Sequence, residues 1–555
     1  MSNDAVTNDE DARPWWQRLM PPWVWKGAVI AYAIYIFALI AFYMLIAGRS
    51  ISYSYTISGQ PEVVSGQSAA LRVGVFDIHR GLFLPGTSVE VSFVRGDQVR
   101  SIFRGQTSPA GLGDVNLKVP EVEPGPATWQ VRLEPIDMDP QVVKIPITVE
   151  SPAPGDPLAI WVDSTIEVES LGADGRRLAG GPPDEGQGPL RLELLAEGGM
   201  AIDGLRSTVF VQATERATGV PVKVSVQLVR KKGMVDGKVP EVIQTNRGGL
   251  GAFSLVPIGA QEWELKAVQR VKDGPDQVST RVVRLDSKPT QYAMALRDPV
   301  WEDGEDLEVG VRSLHRSGAL YGDVHVAGRW THGEVTGLGP RGGGFILRDS
   351  AVPRPKEGVE LARVQVYGDA LNPGAAGDTR LVALPAVQMS DRDVLKVLLG
   401  RAADAGVAPV RARALAGSEW LLTASQRDVN AQIAYWLSLL PRELNQPPLL
   451  KDTQDEDKQT LADEKESYRA PVTQLLIVSG GLALLIILFL VVTNFVRVRR
   501  ESQAMMAALE ADELLEGEEG LSGNFARTTA IFQLVLLFAT IVVFFAAIVV
   551  LLQAL

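Results

Sequence analysis

The sequence contains no cysteine among its 555 residues. Disulfide bonds, thiolate zinc sites, iron–sulfur clusters and a cysteine nucleophile are therefore excluded. Histidine is scarce as well, with four residues, and the formal net charge is -12. A balance this negative argues against a nucleic-acid partner, which requires concentrated Lys and Arg. Glycine and proline are frequent by contrast, with 53 and 34 residues, as in chains of many short strands joined by turns.

Motifs of the common catalytic sites are also missing. The sequence has no G-x-S-x-G elbow, no H-E-x-x-H motif, no P-loop and no G-x-G-x-x-G at a strand-to-helix turn. His325 and His332 are expected on opposite faces of one strand, so they would not converge on a metal. We therefore predict a protein that is not an enzyme and has no catalytic, cofactor or metal site. Four acidic residues are read as turn residues, with calcium ligation as the alternative: Asp137, Asp139, Asp303 and Asp306.

Three long apolar runs carry no charged side chain, at 28–47, 475–492 and 530–552. About twenty apolar residues are enough to cross the hydrocarbon core of a bilayer. The runs predict transmembrane helices over 28–47, 472–496 and 529–553. The first is longer than the apolar part of a usual signal peptide and lacks a clear small-x-small cleavage site, which favours an uncleaved anchor.

Lys and Arg near these runs predict their orientation. We expect a cytoplasmic tail at 1–27, a periplasmic or extracytoplasmic segment at 51–470 and a cytoplasmic loop with a short acidic helix at 497–527. The C-terminus would be extracytoplasmic. The expected location is a bacterial inner membrane, with the lipid bilayer and other membrane proteins as partners. Interface anchors are predicted at Trp15, Trp16, Trp23, Trp25, Arg497, Arg499 and Arg500, and close helix packing at the small residues Ser479, Gly480 and Gly481.

The long exposed segment repeats itself. Residues 71–91 (LRVGVFDIHRGLFLPGTSVEV) match residues 307–326 (LEVGVRSLHRSGALYGDVHV). A second match aligns TSPAGLG at 107–113 with TNRGGLG at 245–251, each followed by a tryptophan that leads an alternating strand. Alternation of apolar and polar residues indicates strands with one buried face. We predict β-sandwiches at 51–150, 203–290 and 300–388, with a strand and loop region at 151–202. In that region, 158–168 and 190–195 are expected to be strands that form a small extra sheet or extend a neighbouring domain.

These motifs resemble the bacterial immunoglobulin-like domains of the macroglobulin type. The shared pattern is Pro-Gly before a V-x-V strand, then T-x-x-x-G, an apolar strand, Pro and an aromatic-led strand. Here it falls at 85–86, 89–91, 107–111, 117–120 and 129–133. The third copy keeps only the first half. The resemblance implies a fold and no activity, because the thioester of protease-trapping macroglobulins needs a cysteine.

The segment 389–470 differs in character and is expected to be a helical region with an acidic linker. Residues 391–403 and 425–440 have helical periodicity, and we favour packing on the last sandwich over lying on a membrane surface. Residues 451–469 are highly charged, which is typical of a solvated helix or a linker.

Together these patterns predict a mainly β membrane protein, with tandem immunoglobulin-like sandwiches outside the membrane. A small helical region would precede the second of three transmembrane helices. The leading functional hypothesis is a non-enzymatic structural or scaffold subunit of a bacterial envelope complex, with a periplasmic protein or glycan as a further partner. Two alternatives stay open: a surface receptor or adhesin for glycan or peptidoglycan, and an accessory subunit of a membrane enzyme or transporter.

Overall fold

The computed structural model describes eight stretches of the chain and divides into two compact units. One unit is continuous, Tyr53–Thr453, and the other combines Met1–Ser52 with Gln454–Leu555. The described residues are 22–136, 139–151, 186–270, 275–340, 342–349, 352–370, 377–440 and 447–511.

Helices occur in both units. Their bounds in the described residues are α1 (Pro22–Ala47), α2 (Asp391–Asp404), α3 (Pro409–Ala416), α4 (Glu419–Thr423), α5 (Gln426–Ser438) and α6 (Gln454–Ala511). Helices α1 and α6 belong to the two-segment unit and touch at several points. The Phe42 ring stands edge-on to Tyr468 at 6.4 Å, and Arg49 NH1 lies 2.8 Å from Glu464 Oε1. The Tyr32 hydroxyl donates to the carbonyl of Ser479.

The structure corrects the predicted transmembrane helices. The first two apolar runs lie in α1 and α6, yet among the described residues no helix is both long and apolar enough to cross a membrane. The prediction used the length of the apolar runs and their lack of charge, whereas the second run is the middle of a 58-residue helix that starts in a charged segment. The predicted fold class was wrong in this respect. The third segment, 529–553, lies outside the described residues.

The continuous unit contains three β-sandwiches built on one plan. In each, three strands face four in a shared core, and these core strands follow the same order along the chain; further strands extend the sheets of the first two sandwiches. The first sandwich comprises β1 (Tyr53–Ser58), β2 (Glu62–Val64), β3 (Ser68–Asp77), β4 (Leu82–Phe83), β5 (Ser88–Arg95), β6 (Gln98–Gln106), β7 (Leu112–Lys118), β8 (Gly125–Glu134) and β9 (Gln141–Glu150). Its sheets have the orders β1-β3-β7 and β9-β8-β5-β6.

The second and third sandwiches repeat these orders. The second comprises β10 (Leu190–Ala196), β11 (Ala201–Ile202), β12 (Ser207–Glu215), β13 (Ser225–Asp236), β14 (Val242–Gln244), β15 (Leu250–Gln269), β16 (Gln277–Leu285) and β17 (Ser287–Lys288). The third comprises β18 (Tyr292–Leu296), β19 (Leu307–Ser313), β20 (Gly318–Val326), β21 (Arg329–Leu338), β22 (Gly343–Leu347), β23 (Val359–Tyr367) and β24 (Asp378–Pro385). Strand β15 is long enough to serve both sheets of the second sandwich.

A short parallel pairing also recurs in all three sandwiches. After the first strand of each sandwich, the chain crosses to the other sheet. There it forms a short parallel pairing beside the last strand of that sheet. The pairs are β2 with β9, β11 with β17, and a bridge between Val300 and Ala383. This conformation recurs at the same point of each copy, so the three sandwiches share one structural unit.

The matched T-x-x-x-G motifs form the same turn in two sandwiches. Thr107 Oγ1 accepts a hydrogen bond from the Thr87 amide at 2.9 Å, and Thr245 Oγ1 accepts from the Val224 amide at 2.8 Å. Gly111 and Gly249 follow with φ of 79° and 72°, a conformation that only glycine adopts readily. The matching residues therefore form the same turn in both sandwiches. This turn connects the two sheets, and its threonine is hydrogen-bonded to the residue just before β5 or β13.

The region 151–202 belongs partly to the second sandwich. Strand β10 pairs antiparallel with β12, so the strand expected at 190–195 extends a neighbouring domain. The strand expected at 158–168 lies outside the described residues. Strand β25 (Leu449–Asp452) was not expected at all; it returns to pair with β1 of the first sandwich, so the unit begins and ends side by side.

Candidate functional site

A buried arginine joins the first and third sandwiches. Arg72 lies on β3, on the face turned away from the core of its own sandwich, and is 5% exposed. Its Nε lies 2.6 Å from Asp114 Oδ1 on β7, within the same sandwich. Its NH2 lies 2.9 Å from Asp323 Oδ1 on β20 of the third sandwich, and its NH1 donates to the Tyr367 hydroxyl on β23. One guanidinium therefore connects strands 250 residues apart in sequence.

Aromatic rings complete the surroundings of Arg72. The guanidinium carbon lies 5.0 Å from the ring centre of Tyr321, 5.3 Å from Trp330 and 5.7 Å from Tyr367. The two tyrosine rings are stacked, with centroids 5.7 Å apart. Positive charge at such distances from ring faces is attracted to them, and more strongly where water is excluded.

The electrostatics of this cluster follow from burial. Burial by itself would lower the pKa of Arg72, but Asp114 and Asp323 raise it well above its usual value, so the guanidinium stays charged. Burial raises the pKa of Asp114, against the opposing effect of Arg72. Burial and the neighbouring Asp323 raise the pKa of Tyr367, so its neutral hydroxyl donates to that carboxylate. The cluster is a closed ion-pair network and not a poised acid–base pair.

A second buried arginine joins the second sandwich to the helices. Arg411 of α3 contacts Glu193 of β10, and the Tyr435 hydroxyl of α5 donates to the same carboxylate at 3.0 Å. The Arg411 guanidinium lies 5.4 Å from the Tyr435 ring and 5.2 Å from Trp436. Burial would raise the pKa of Glu193, but Arg411 and Arg191 overcome that effect and lower it to about 2.

Both networks join two parts of the continuous unit through buried side chains. Each uses an arginine, a carboxylate and tyrosine, with little exposure to solvent. Removing one member of either network by substitution would leave a buried charge without its partner. The Asp323 and Glu193 carboxylates and the hydroxyls of Tyr367 and Tyr435 hydrogen-bond within these networks.

The two histidines considered as metal ligands lie on neighbouring strands, which corrects the expected single strand. His325 lies on β20, one residue before its end, and His332 lies on β21. Ala327 and Gly328, with φ of 50° and 76°, form a two-residue hairpin turn between them. The usual Asn-Gly or Asp-Gly signal for that turn is missing, which explains why the sequence did not indicate it. His325 is buried, and burial lowers its pKa to about 4.

The predicted packing and anchor residues stay predictions, but several can be placed. Ser479 and Gly480 are buried on α6, whereas Gly481 is exposed. Arg499 and Arg500 are exposed near the end of the same helix. For Trp23, Trp25 and Arg497 the structure describes only the helical backbone, and Trp15 and Trp16 lie outside the described residues.

Sequence reasoning missed Arg72 and Arg411. The signal for Arg72 was present: it is the only charged residue in the run AALRVGV at 69–75, where both faces of the strand are buried. A charge in a strand with two buried faces requires a partner from another element. Nothing in the sequence says which element supplies it.

Comparisons with known proteins found matches among solved structures alone. No family model and no curated protein matches the sequence. Among solved structures, Salmonella alpha-2-macroglobulin reacted with methylamine is 13% identical over 60% of this chain and 23% of its own, with a TM-score of 0.16. Escherichia coli alpha-2-macroglobulin activated by porcine elastase is 12% identical over 61% and 31%, with a TM-score of 0.15. Invasin, a bacterial integrin-binding protein, is 13% identical over 61% and 60%, with a TM-score of 0.14.

These similarities are to the macroglobulin-type and adhesin-type β-sandwiches, in line with the resemblance drawn from the motifs. The matches span less than a third of the macroglobulin chains. With identities of 12–13% and TM-scores of 0.14–0.16, no activity or partner is taken from these structures.

Proposed function

We propose that this protein is a non-enzymatic scaffold that holds three immunoglobulin-like sandwiches in a fixed arrangement and binds a protein partner with them. Its place would be a complex of the bacterial envelope, on the extracytoplasmic side. The observation that carries the proposal is Arg72, buried between the first and third sandwiches and bonded to Asp323. A string of independent binding domains has no need of a shared buried charge.

Several direct contacts between the first and third sandwiches support a fixed arrangement. A change at Arg72 should disturb it, because removing one partner of a buried ion pair typically costs about 3–5 kcal/mol when the other charge stays buried. Further bonds join the same two sandwiches: Arg329 Nη2 lies 2.5 Å from Glu150 Oε2, and Gln60 Nε2 donates to the Gly328 carbonyl at 3.3 Å. The pairing of β1 with β25 also fastens the two ends of the unit together.

The test is partner retention by the full chain. The tagged chain is isolated under mild conditions from the envelope fraction of cells that make it, beside the variants Arg72→Ala and Arg80→Ala. Arg80 is an exposed arginine of the first sandwich, paired only loosely with Asp77 at 3.5 Å, so it controls for loss of charge.

We expect the wild-type and Arg80→Ala chains to retain the same partner, and Arg72→Ala to retain much less of it. A chain recovered strictly alone would contradict the proposal. Equal retention by the Arg72→Ala chain would also contradict it, since binding would then not depend on the fixed arrangement.

A further inference from the structure

His325 lies on the face of β20 that is turned away from the core of the third sandwich. Its strand neighbours Val324 and Val326 belong to that core. Strand β20 pairs with β23 without a register shift, so successive side chains point to opposite faces of the sheet. Asp323, two residues before His325, shares its face and contacts Arg72 of the first sandwich. His325 is nevertheless only 3% exposed.

The first sandwich contacts the third on both sides of His325 along the chain. The Arg72 network comes before it. After it, Gln60 Nε2 donates to the Gly328 carbonyl at 3.3 Å, and Arg329 Nη2 lies 2.5 Å from Glu150 Oε2. His325 lies between these contacts, so we attribute its burial to the closed interface between the two sandwiches.

The imidazole ring of His325 is poorly satisfied in this position. Its Nδ1 is buried, and within the described part of the chain no group hydrogen-bonds to it. A buried polar atom without a partner costs free energy, and native structures contain few of them. In water the ring recovers its hydrogen bonds and also takes up a proton near pH 6.5, its ordinary pKa.

The surrounding charges oppose a proton on the buried ring. Burial has the largest effect and lowers the pKa of His325 to about 4; Arg363, directly opposite on β23, and Arg72 on β3 assist, whereas Asp323 opposes. The titratable and charged groups on the strands around His325 are Asp323 on β20, Arg363 on β23, Arg72 on β3, Asp114 on β7, and His332 and Glu334 on β21.

We propose that the interface between the first and third sandwiches is a pH-sensitive switch, closed at neutral pH and loosened in mild acid when His325 takes a proton from the solvent. Opening brings the ring into water, where it binds the proton, and the bound proton then opposes closure. The inference rests on the proposed function, because it supplies a way for the scaffold to release its partner when the surroundings acidify.

The direction follows from linkage. The pKa of His325 is lower in the closed form than in water, so the open form binds more protons and acid favours it. The ratio of open to closed interface should rise about 20–30-fold from about pH 7.5 to about pH 5. Burial raises the pKa of Asp114, so protonation of that carboxyl would favour the closed form instead. The window also lies above the ordinary pKa of carboxyl groups, about 4.

The test is site-resolved hydrogen exchange of the full chain, expressed at each pH as protection relative to a free amide. The Gly333 amide donates to Asn116 Oδ1 of the first sandwich at 2.9 Å, so it is freed when the interface opens. The Ala383 amide donates to the Pro299 carbonyl within the third sandwich at 2.9 Å, so it reports unfolding of that sandwich.

We expect the protection of Gly333 to be lower than that of Ala383 at every pH, and to fall about 20–30-fold from about pH 7.5 to about pH 5. In His325→Gln and His325→Leu the fall should shrink to about twofold or less, because the titrating group is gone. The matched control His332→Gln removes the neighbouring histidine and should keep the full effect. Each chain is compared with itself across pH, so a uniform loss of stability in a variant leaves the ratio unchanged.

Equal protection of Gly333 and Ala383 at every pH would overturn the inference, since the interface would then open only when the sandwich unfolds. An undiminished fall in both His325 variants, its loss in His332→Gln, or no fall in the wild-type chain would overturn it as well. These readings need no partner. If the wild-type chain retains no cellular partner while Gly333 behaves as expected, the proposed function fails and the switch stands; if the partner is retained and Gly333 shows no pH dependence, the switch is refuted and the scaffold stands.

Discussion

Asn116 of the first sandwich and Gly333 of the third exchange two hydrogen bonds. Asn116 Nδ2 donates to the Gly333 carbonyl at 2.9 Å, and the Gly333 amide donates to Asn116 Oδ1 at 2.9 Å. The Asn116 side chain thus supplies the donor and the acceptor that a neighbouring strand would otherwise offer to the backbone of β21. A Cβ at Gly333 would lie 3.2 Å from Asp114 and 2.8 Å from Trp330, so the close approach depends on glycine.

We predict that Asn116→Ala destabilises the interface by about 1–3 kcal/mol, because it leaves a backbone donor and acceptor of Gly333 without partners. The measurement is hydrogen exchange of the Gly333 amide together with the unfolding midpoint in urea. An exposed change on another strand, Ser101→Ala, serves as the control. Unchanged exchange at Gly333 would show that the pair does not form in solution.

Arg72 is predicted to be the most sensitive residue of this interface. Arg72→Met keeps most of the side-chain volume and removes the charge, so Asp323 stays buried without its cation. We expect a loss of about 3–5 kcal/mol in unfolding free energy. Arg72→Lys should recover only part of it, since an ammonium cannot reach Asp114, Asp323 and Tyr367 in one plane. A loss for Arg72→Met no larger than that of the exposed control Arg80→Met would refute this role.

His325 is predicted to make stability depend on pH. Burial lowers its pKa to about 4 in the folded state, with Asp323 opposing and Arg363 and Arg72 assisting, against about 6.5 when unfolded. The unfolded chain then binds more protons, so stability is constant above about pH 6.5 and falls toward pH 4. The loss is of the order of 3 kcal/mol at about 1.4 kcal/mol per pH unit. Urea unfolding of wild type and His325→Gln across this range checks it; parallel pH curves would contradict it.

Glu193 should contribute in a lower pH window. Its folded pKa of about 2 lies below the ordinary value, so its contribution is complete above about pH 4.5 and is lost as pH falls toward 2. We predict strong coupling between Arg411 and Glu193 in a double-mutant cycle of Arg411→Met and Glu193→Gln, with an interaction energy of about 1–3 kcal/mol at pH 7. Additive single changes would show that the pair is not coupled. Repeating the cycle near pH 2 should reduce the coupling.

The sequence predicted the sandwiches better than their arrangement. The Thr107 and Thr245 motifs indicated a shared turn because such a turn is encoded locally, by a hydroxyl and a glycine four residues on. The third sandwich has the full strand order although its second half lost the motif, since strand pairing tolerates changes that motif matching does not. The sandwiches could be predicted because their turn motifs and strand patterns lie in short stretches of sequence.

The contacts between sandwiches could not be predicted, because they join residues far apart in the chain. Arg72 was recognisable as a charge in a buried strand, but its partners Asp323 and Tyr367 lie some 250 and 295 residues away. Strand β25 lies in a segment whose charges indicated a linker or helix, and its pairing with β1 supplies the structure that its own four residues do not favour. The contacts of Arg72 and the strand β25 both depend on residues that are distant in the sequence.

The most direct test of a fixed arrangement is a distance between the first and third sandwiches. The chain has no cysteine, so cysteines at the exposed Val142 and Ile346 carry two spin labels without background. Double electron–electron resonance on the full chain should give one narrow distance distribution, which broadens in the Arg72→Met chain. A broad distribution in the wild-type background, unchanged by Arg72→Met, would contradict the account that Arg72 holds the sandwiches together.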